Sequence, residues 1–256
     1  MADPYAHLAQ SFIDHYQSLR GVVRRELVGR QLDAHLGPLP QRVADVGGGS
    51  GVQAIRLARA GHEVTLLDPS TDMLARARAE LRAQPAEVRA RIELVEGSGE
   101  DAPRLLGTAT YHATLCHGVV MYLEDPDPLL QATVDITRPG GVVSILAKNA
   151  AALALRPALQ GRYRDAIEVF DSDRDEGGLG VITRGDTIEN LGSRLAAAGA
   201  DVLAWYGVRV LTDHLMNAPP GDDLDNVLMA EWEAGRRDPY RAVGRLIHVL
   251  ARRKAR

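Results

Sequence analysis

Short apolar runs alternate with segments of helical periodicity between residues 42 and 147. The apolar runs predict five strands, over residues 42–46, 63–67, 91–95, 111–116 and 141–147. Apolar positions three and four apart predict helices between them, over residues 52–60, 71–84 and 127–137. Strands that alternate with helices form βαβ units. The sequence therefore predicts an α/β fold with an open, doubly wound, mostly parallel sheet.

The segments on either side of this block follow different patterns. Residues 1–40 predict two N-terminal helices, marked by Phe12, Tyr16 and Leu19 and then by Val23, Leu27 and Leu32. After residue 148 the pattern predicts a helix, a polar glycine-rich loop over 171–180, a helix over 186–198, a strand over 202–210, a helical insertion over 212–236 and a strand over 244–251. The two late strands give a seven-stranded sheet. We interpret residues 150–183 and 212–240 as a lid.

A glycine-rich turn joins the first predicted strand to the helix after it. Residues 45–51 read Asp-Val-Gly-Gly-Gly-Ser-Gly, at the strand ends where open α/β sheets bind ligands. Glycines allow positive φ angles and close approach of a ligand, and the helix start favours an anionic group. The pattern G-x-G-x-x-G of Rossmann-type oxidoreductases fits imperfectly, because Val52 stands where its third glycine belongs. The alternative pattern D-x-G-x-G-x-G is matched by Asp45, Gly47, Gly49 and Gly51.

Three further signals accompany this turn. Asp68 ends the second predicted strand about 20 residues after the glycines, where an acid bonds ribose hydroxyls. Ser98-Gly99-Glu100-Asp101 follows the third strand, and Arg138-Pro139-Gly140-Gly141 leads into the fifth. We interpret the whole chain, 1–256, as one domain with N-terminal helices over 1–40, a cofactor-binding core over 41–148, and lid segments plus terminal strands over 149–256.

Together these motifs resemble class I S-adenosylmethionine-dependent methyltransferases. The resemblance implies a methyltransferase with S-adenosyl-L-methionine as cofactor. Within that superfamily the chain resembles the bacterial tRNA 5-carboxymethoxyuridine methyltransferases, which convert the carboxylate of a wobble uridine into its methyl ester. Residues 206–213 and 238–252, outside the cofactor motifs, carry this narrower similarity.

The resemblance implies cofactor contacts at Arg24, Gly47, Gly48, Asp68, Gly99 and His117. Asp45 can receive the cationic amino group, Gly49 belongs to the turn, and Glu100 lies where such enzymes hold the adenine. Two of these positions also have a purely structural interpretation. Arg24 could be a solvated helix arginine, and His117 could be a loop histidine with satisfied hydrogen bonds. Cys116 is expected to be a buried strand residue rather than a nucleophile.

The acceptor implied by the resemblance is a carboxylate, which is ionised at neutral pH and needs no general base. The enzyme must place its oxygen in line with the methyl group, and such positioning supplies up to about 7–11 kcal/mol. Arginine binds carboxylates in a bidentate manner, so Arg209 and Arg245 are the expected clamp, with Tyr240 and His248 beside them. The alternative interpretation is that Arg209 and Arg245 are strand arginines at the edge of the sheet, and that His248 packs in the core.

Composition and charge qualify the choice of acceptor. The chain has 256 residues, a net charge of −4 and one cysteine, which excludes an internal disulfide or a cysteine-rich zinc site. We expect no membrane span, no metal and a cytoplasmic location, because no stretch resembles a signal peptide or a spanning helix. Residues 165–176 carry six acids and one base, which disfavours a phosphate backbone, whereas residues 236–256 carry eight bases and one acid. Both tRNA and a small-molecule acceptor therefore remain open.

Overall fold

The computed structural model describes residues 17–38, 40–176 and 180–255 of the chain. A seven-stranded sheet lies at its centre, and a two-stranded hairpin lies apart from it. In chain order the strands are β1 (Arg42–Val46), β2 (Glu63–Asp68), β3 (Ile92–Glu96), β4 (Tyr111–His117), β5 (Thr137–Lys148), β6 (Arg174–Glu176), β7 (Ile182–Arg184), β8 (Ala200–Val208) and β9 (Leu246–Arg253). The prediction of a seven-stranded, mostly parallel sheet is confirmed, with strand ends shifted by up to four residues.

The sheet order is β3-β2-β1-β4-β5-β9-β8. Strands β1 to β5 run parallel, and β9 is antiparallel to both β5 and β8. The chain reverses its direction of travel across the sheet between β1 and β4. Ligands of open α/β sheets bind in the crevice outside the carboxyl ends of the strands at such a switch point.

Helices cover both faces of the sheet. They are α1 (Leu19–Asp33), α2 (Val52–Arg59), α3 (Thr71–Arg82), α4 (Ala86–Arg89), α5 (Ala102–Leu106), α6 (Asp127–Ile136), α7 (Leu155–Leu159), α8 (Tyr163–Glu168), α9 (Ile188–Ala197) and α10 (Leu224–Gly235). Successive strand side chains point to opposite faces. Val43 therefore packs in the cluster of Leu57 and Leu74, whereas its neighbour Ala44 packs in the cluster of Leu130.

Helix α1 is positioned by a cap and an apolar stripe. Its N-cap Ser18 accepts a hydrogen bond from the Gly21 backbone N–H, which satisfies one of the free amides of the first turn. Leu19, Val23 and Leu27, each one turn apart, form a buried cluster with Leu228 of α10. Leu19 thus begins this helix rather than ending an earlier one. The first predicted helix, marked by Phe12 and Tyr16, lies outside the described residues.

The segments interpreted as a lid behave differently from one another. The first segment, 150–183, contains α7, α8 and the β6–β7 hairpin. Strand β6 lies where the sequence predicted a loop, and the pattern missed it because its three residues are all polar. In the second, only residues 224–235 form an α-helix, and this helix packs on α1. Of the residues that the structure describes, none between 212 and 240 lines the main cavity.

Candidate active site

A cavity of about 750 Å³ lies at the carboxyl ends of the parallel strands. It is lined by every residue predicted to contact the cofactor: Arg24, Asp45, Gly47, Gly48, Gly49, Asp68, Gly99, Glu100 and His117. The structure therefore brings together residues that are spread over about 90 positions of the sequence. The reason is topological, because the carboxyl ends of β1, β2, β3 and β4 meet at this edge of the sheet.

The glycine turn keeps the floor of the cavity free of side chains. Gly47 and Gly49 have φ angles of 70° and 56°, in the left-handed region that favours glycine. A Cβ atom on Gly47 would lie 2.4 Å from Val119 Cγ2, and one on Gly48 would lie 2.9 Å from the Asp45 carboxylate. Only glycines therefore fit this turn against its surroundings.

Asp68 is held rigidly at the end of β2. Its Oδ2 accepts a hydrogen bond of 2.8 Å from the Gly49 backbone N–H, and its Oδ1 accepts one of 2.9 Å from Ser70. Each carboxylate oxygen has a second lone pair. The carboxylate thus faces the cavity in a fixed orientation and can accept further hydrogen bonds from hydroxyl groups.

Asp45 is a buried carboxylate at the end of β1. Burial, reinforced by the charge of Asp68, raises the pKa of Asp45 from 3.8 to about 7. Its Oδ2 has no hydrogen-bond partner within the described part of the chain. A buried anion of this kind is stabilised by a cation placed beside it, so the site fits a ligand that carries an ammonium group next to the glycine turn.

Gly99 and Glu100 form the wall after β3. Their short 3-10 turn, Gly99–Asp101, packs against α6, and a Cβ atom on Gly99 would lie 2.4 Å from Leu129 Cδ1. Leu123 and Leu129 also line the cavity here. This wall offers apolar surface with a carboxylate at its rim, which suits a planar heterocycle that carries hydrogen-bond donors.

His117 ends β4 and connects the cavity to the core. The Arg24 guanidinium of α1 donates a hydrogen bond of 3.2 Å to the His117 carbonyl oxygen. The His117 ring Nε2 lies 2.8 Å from Ser144 Oγ, which lies 2.8 Å from His248 Nε2. His248 Nδ1 in turn lies 2.7 Å from Gln31 Oε1. His248 is thus a core residue with both ring nitrogens hydrogen-bonded, which agrees with the interpretation of His248 as a core-packing residue.

Neither histidine nor Cys116 provides a base at this site. Burial lowers the pKa of His117 well below its usual value and the pKa of His248 to about 3, so both rings are neutral at physiological pH. Burial raises the pKa of the Cys116 thiol, which keeps it protonated. The two imidazoles are therefore uncharged and only weakly basic, and the Cys116 thiol is not ionised.

A cationic wall forms another part of the cavity lining. We use this term for four buried side chains that line it: Lys148, Arg156, Arg209 and Arg245. Lys148 is the last residue of β5, Arg209 follows β8 and Arg245 precedes β9, so the antiparallel strands position this wall. Sequence reasoning named Arg209 and Arg245 but missed Lys148 and Arg156. The position of Lys148 at a strand's carboxyl end is the signal that could have found it.

Asp213 neutralises part of the cationic wall. Its Oδ2 accepts a hydrogen bond of 2.5 Å from Arg156 Nε, and its Oδ1 lies 3.3 Å from Arg209 Nε. Although burial opposes it, the charges of Arg209 and Arg156 lower the pKa of Asp213 to about 2. Burial lowers the pKa of Arg209 to about 9, and Asp213 limits that effect. Arg209 therefore has an internal ion-pair partner, although its Nε makes no hydrogen bond within the described residues.

The turn that presents Arg209 is fixed by one buried carboxylate. Glu231 of α10 accepts hydrogen bonds from the backbone N–H groups of Val210, Leu211 and Thr212, at 2.8–3.0 Å, and from the Thr212 hydroxyl at 2.6 Å. These bonds hold Arg209 at a φ of 57°, a conformation uncommon for a side chain of its size.

Tyr240 does not line the cavity. It begins a short 3-10 turn, Tyr240–Val243, that packs on β8, and its side chain is exposed to solvent. The following Arg241 folds back onto Trp205, with its guanidinium carbon 4.0 Å from the ring centre. This contact turns the segment away from the cavity, so the expected placement of Tyr240 beside the two arginines is not what the structure has.

Comparisons with known proteins agree with this geometry. The family model described as a methyltransferase domain matches residues 44–143. The chain is 31% identical over 242 residues to the tRNA 5-carboxymethoxyuridine methyltransferase of Escherichia coli K12, which covers 93% of this chain and 91% of the relative. A solved S-adenosylmethionine-dependent methyltransferase from Mesorhizobium loti has a TM-score of 0.58 at 21% identity, covering 88% of this chain and 96% of the neighbour.

A second solved structure contains a ligand. It is a Burkholderia thailandensis 1,6-didemethyltoxoflavin-N1-methyltransferase with bound S-adenosylhomocysteine, with a TM-score of 0.56 at 19% identity, covering 100% of this chain and 92% of that one. The chain belongs to the S-adenosylmethionine-dependent methyltransferases, and it is an enzyme that uses this methyl donor. The alternative of a Rossmann-type oxidoreductase is wrong.

Two absences complete the description. In the described ranges no helix is long and apolar enough to cross a membrane. Nor do the described residues bring three or more histidine, cysteine, aspartate or glutamate side chains together as a metal site.

Proposed function

We propose that this enzyme methylates the carboxylate of a modified tRNA uridine, converting 5-carboxymethoxyuridine into its methyl ester. The observation that carries the proposal is the cationic wall, because four buried cations beside a methyl-donor site suit an anionic acceptor. The similarity to the Escherichia coli enzyme over nearly the whole chain supports the same acceptor.

The residues around the glycine turn would hold the donor. Asp45 would pair with its amino group, Asp68 would accept hydrogen bonds from its ribose hydroxyls, and Gly99 and Glu100 would border its adenine. The carboxylate at the amino-acid end would meet Arg24 and the glycine backbone. The fit rests on the unpartnered Oδ2 of Asp45, on the oriented carboxylate of Asp68, and on the side-chain-free floor.

S-adenosylmethionine supplies a methyl group on a positively charged sulfur. An acceptor carboxylate oxygen forms the new bond to the methyl carbon while the carbon–sulfur bond breaks, so the products are a neutral ester and a neutral thioether. The acceptor is already ionised, which matches a site whose histidines are neutral. The cationic wall would hold the acceptor so that oxygen, carbon and sulfur are in line, which is where rate acceleration arises.

A small-molecule carboxylate is the second candidate acceptor. The observation in its favour is the acidic segment 165–176, which includes most of α8 and all of β6, the strand whose Asp175 contacts Lys148 and Arg245. Exposed acids such as Asp171 and Asp173 would repel a phosphate backbone. The segment 236–256, with eight bases and one acid, is the feature that speaks for an RNA acceptor instead.

A labelling experiment separates the two acceptors. The enzyme is incubated with methyl-labelled cofactor and bulk tRNA from cells that lack the endogenous ester-forming activity, and the RNA is then treated with mild alkali. We expect label in the RNA that alkali releases, because methyl esters hydrolyse whereas N- and C-methyl groups do not. Asp68→Ala, which lacks the ribose acceptor, is the control with weakened cofactor binding and is assayed at a limiting cofactor concentration. RNA without alkali-labile label would refute the tRNA acceptor.

A further inference from the structure

A carboxylate of the chain itself sits on the cationic wall. Asp175, in β6, directs one oxygen to Lys148 Nζ, and its other oxygen accepts a hydrogen bond of 2.5 Å from Arg245 Nη2. Lys148 and Arg245 are almost fully buried, at 4% and 3% side-chain exposure. The two cations thus hold a carboxylate by both of its oxygens, in the manner expected for a carboxylate ligand.

Asp175 does not use all the hydrogen-bond donors that Lys148 and Arg245 offer. Arg245 Nη1 is buried and has no hydrogen-bond partner among the described residues, and neither has the nearby Thr183 hydroxyl oxygen. Both Arg245 and Thr183 line the cavity. A guanidinium can bind a carboxylate through two parallel hydrogen bonds, but Asp175 engages only one of its terminal nitrogens. Arg245 Nη1 and the Thr183 hydroxyl therefore retain unused hydrogen-bonding capacity beside this carboxylate.

The strand that carries Asp175 is weakly attached elsewhere. β6 pairs only with β7, outside the seven-stranded sheet. β7 is anchored at its end by the buried pair of Arg184 and Asp186. The other ion pair from β6 to the body of the protein joins Arg174 to Glu124, whose side chains are 43% and 82% exposed, and such exposed pairs contribute little. The Asp175 side chain is thus the main charged link between β6 and the two cavity-lining cations, beside the hydrogen bond of 3.2 Å that Lys148 Nζ donates to the Asp175 backbone carbonyl oxygen.

Lys148 and Arg245 need an anion in this position. Buried cations without a counter-charge are costly, whereas exchanging one carboxylate for another keeps the charge balance. Arg209 and Arg156 are already paired with Asp213. The pair that can exchange its partner is therefore Lys148 with Arg245, and not Arg209 with Arg245 as the sequence suggested.

We propose that Lys148 and Arg245 form the carboxylate subsite of the acceptor, and that Asp175 occupies this subsite until the acceptor displaces it. The inference rests on the proposed function, since it requires an acceptor with a carboxylate. It also gives the site a selectivity, because an ionised acceptor can compete with Asp175 but its neutral methyl ester cannot. The returning Asp175 carboxylate then displaces the product.

Two variants that each remove one negative charge test the proposal. Asp175→Asn removes the occupant of the subsite, whereas Asp173→Asn changes an exposed neighbour that contacts neither Lys148 nor Arg245. Binding of 5-carboxymethoxyuridine nucleoside and of its methyl ester is measured with S-adenosylhomocysteine present, so no turnover is needed. We expect Asp175→Asn to bind the acid at least fivefold more tightly than the wild type does, and Asp173→Asn to bind it as the wild type does. The methyl ester should bind all three proteins with the same affinity.

Hydrogen exchange of the free protein provides a second readout. Amides of residues 174–176 should exchange at least tenfold faster in Asp175→Asn than in Asp173→Asn, and Asp175→Glu, which retains a carboxylate, should restore much of the protection. Equal exchange in the asparagine variants, or weaker binding of the acid by Asp175→Asn, would overturn the subsite. Failure of the proposed function looks different: the wild type would esterify no tRNA and neither variant would bind the nucleoside acid, while the exchange difference between the two asparagine variants would persist.

Discussion

The raised pKa of Asp45 makes a prediction about stability as well as binding. In the free protein this buried carboxyl has a pKa of about 7, against an ordinary value of 3.8. Between pH 3.8 and pH 7 the native state retains a proton that the unfolded chain has lost. The free energy of unfolding therefore falls by about 1.4 kcal/mol for each pH unit in this interval. Over the whole interval the loss reaches about 4 kcal/mol, and above pH 7 it stays constant.

Substitution of Asp45 by asparagine should remove this pH dependence. We expect urea unfolding of the wild type, measured from pH 5 to pH 8, to show a stability that declines toward pH 7 relative to Asp45→Asn. Added S-adenosylhomocysteine should reduce the decline in the wild type, because its ammonium group stabilises the ionised carboxylate, and should have a much smaller effect on the variant. Parallel pH profiles for the two ligand-free proteins would refute the raised pKa of Asp45, and an equal response of both proteins to S-adenosylhomocysteine would refute its cation-binding role.

Three other substitutions test other parts of the cavity. Asp68→Ala should weaken S-adenosylhomocysteine binding by about 1–3 kcal/mol in calorimetry, since ribose hydroxyls lose their acceptor; unchanged affinity would place the ribose elsewhere. Gly47→Ala should lower the melting temperature and the cofactor affinity more than Gly140→Ala does. Both glycines have φ near 70°, but only a Cβ atom on Gly47 would contact a neighbouring side chain, at 2.4 Å. Equal effects of the two substitutions would contradict this steric argument. Arg245→Gln should raise the acceptor KM at least tenfold without changing cofactor affinity, whereas Arg252→Gln, on the exposed part of β9, should change neither.

Local sequence signals are sufficient for the cofactor half of the cavity. Each strand from β1 to β4 is a short run that carries a polar or glycine-rich motif at or just after its carboxyl end, such as Asp45 in β1 and Asp68 in β2. In a parallel sheet these strand ends necessarily meet at one edge. Order and spacing therefore predict where the cofactor half of the cavity lies, whereas the individual contacts, Arg24 of α1 among them, were implied by the family resemblance.

The acceptor half depends on contacts that sequence spacing does not reveal. Lys148 and Asp175 are brought together by a hairpin of two three-residue strands, and the polar run Arg174–Glu176 has no strand signature. Arg156 and Asp213 meet across 57 positions. Tyr240 lies near Arg245 in sequence, but its turn packs on β8 and points it to solvent. Pairings of this kind are decided by tertiary packing rather than by local propensity.

The strand order has a consequence for how the protein is made. Strand β9 lies between β5 and β8, although it is the last of the three to be synthesised. Until residue 253 has emerged from the ribosome, β8 has no partner in the sheet and the edge of β5 stays open, and such edges favour misassociation. Helix α1, which carries Arg24, also packs on α10, near the end of the chain. Both halves of the cavity are therefore expected to be completed only late, when the last strand has joined the sheet.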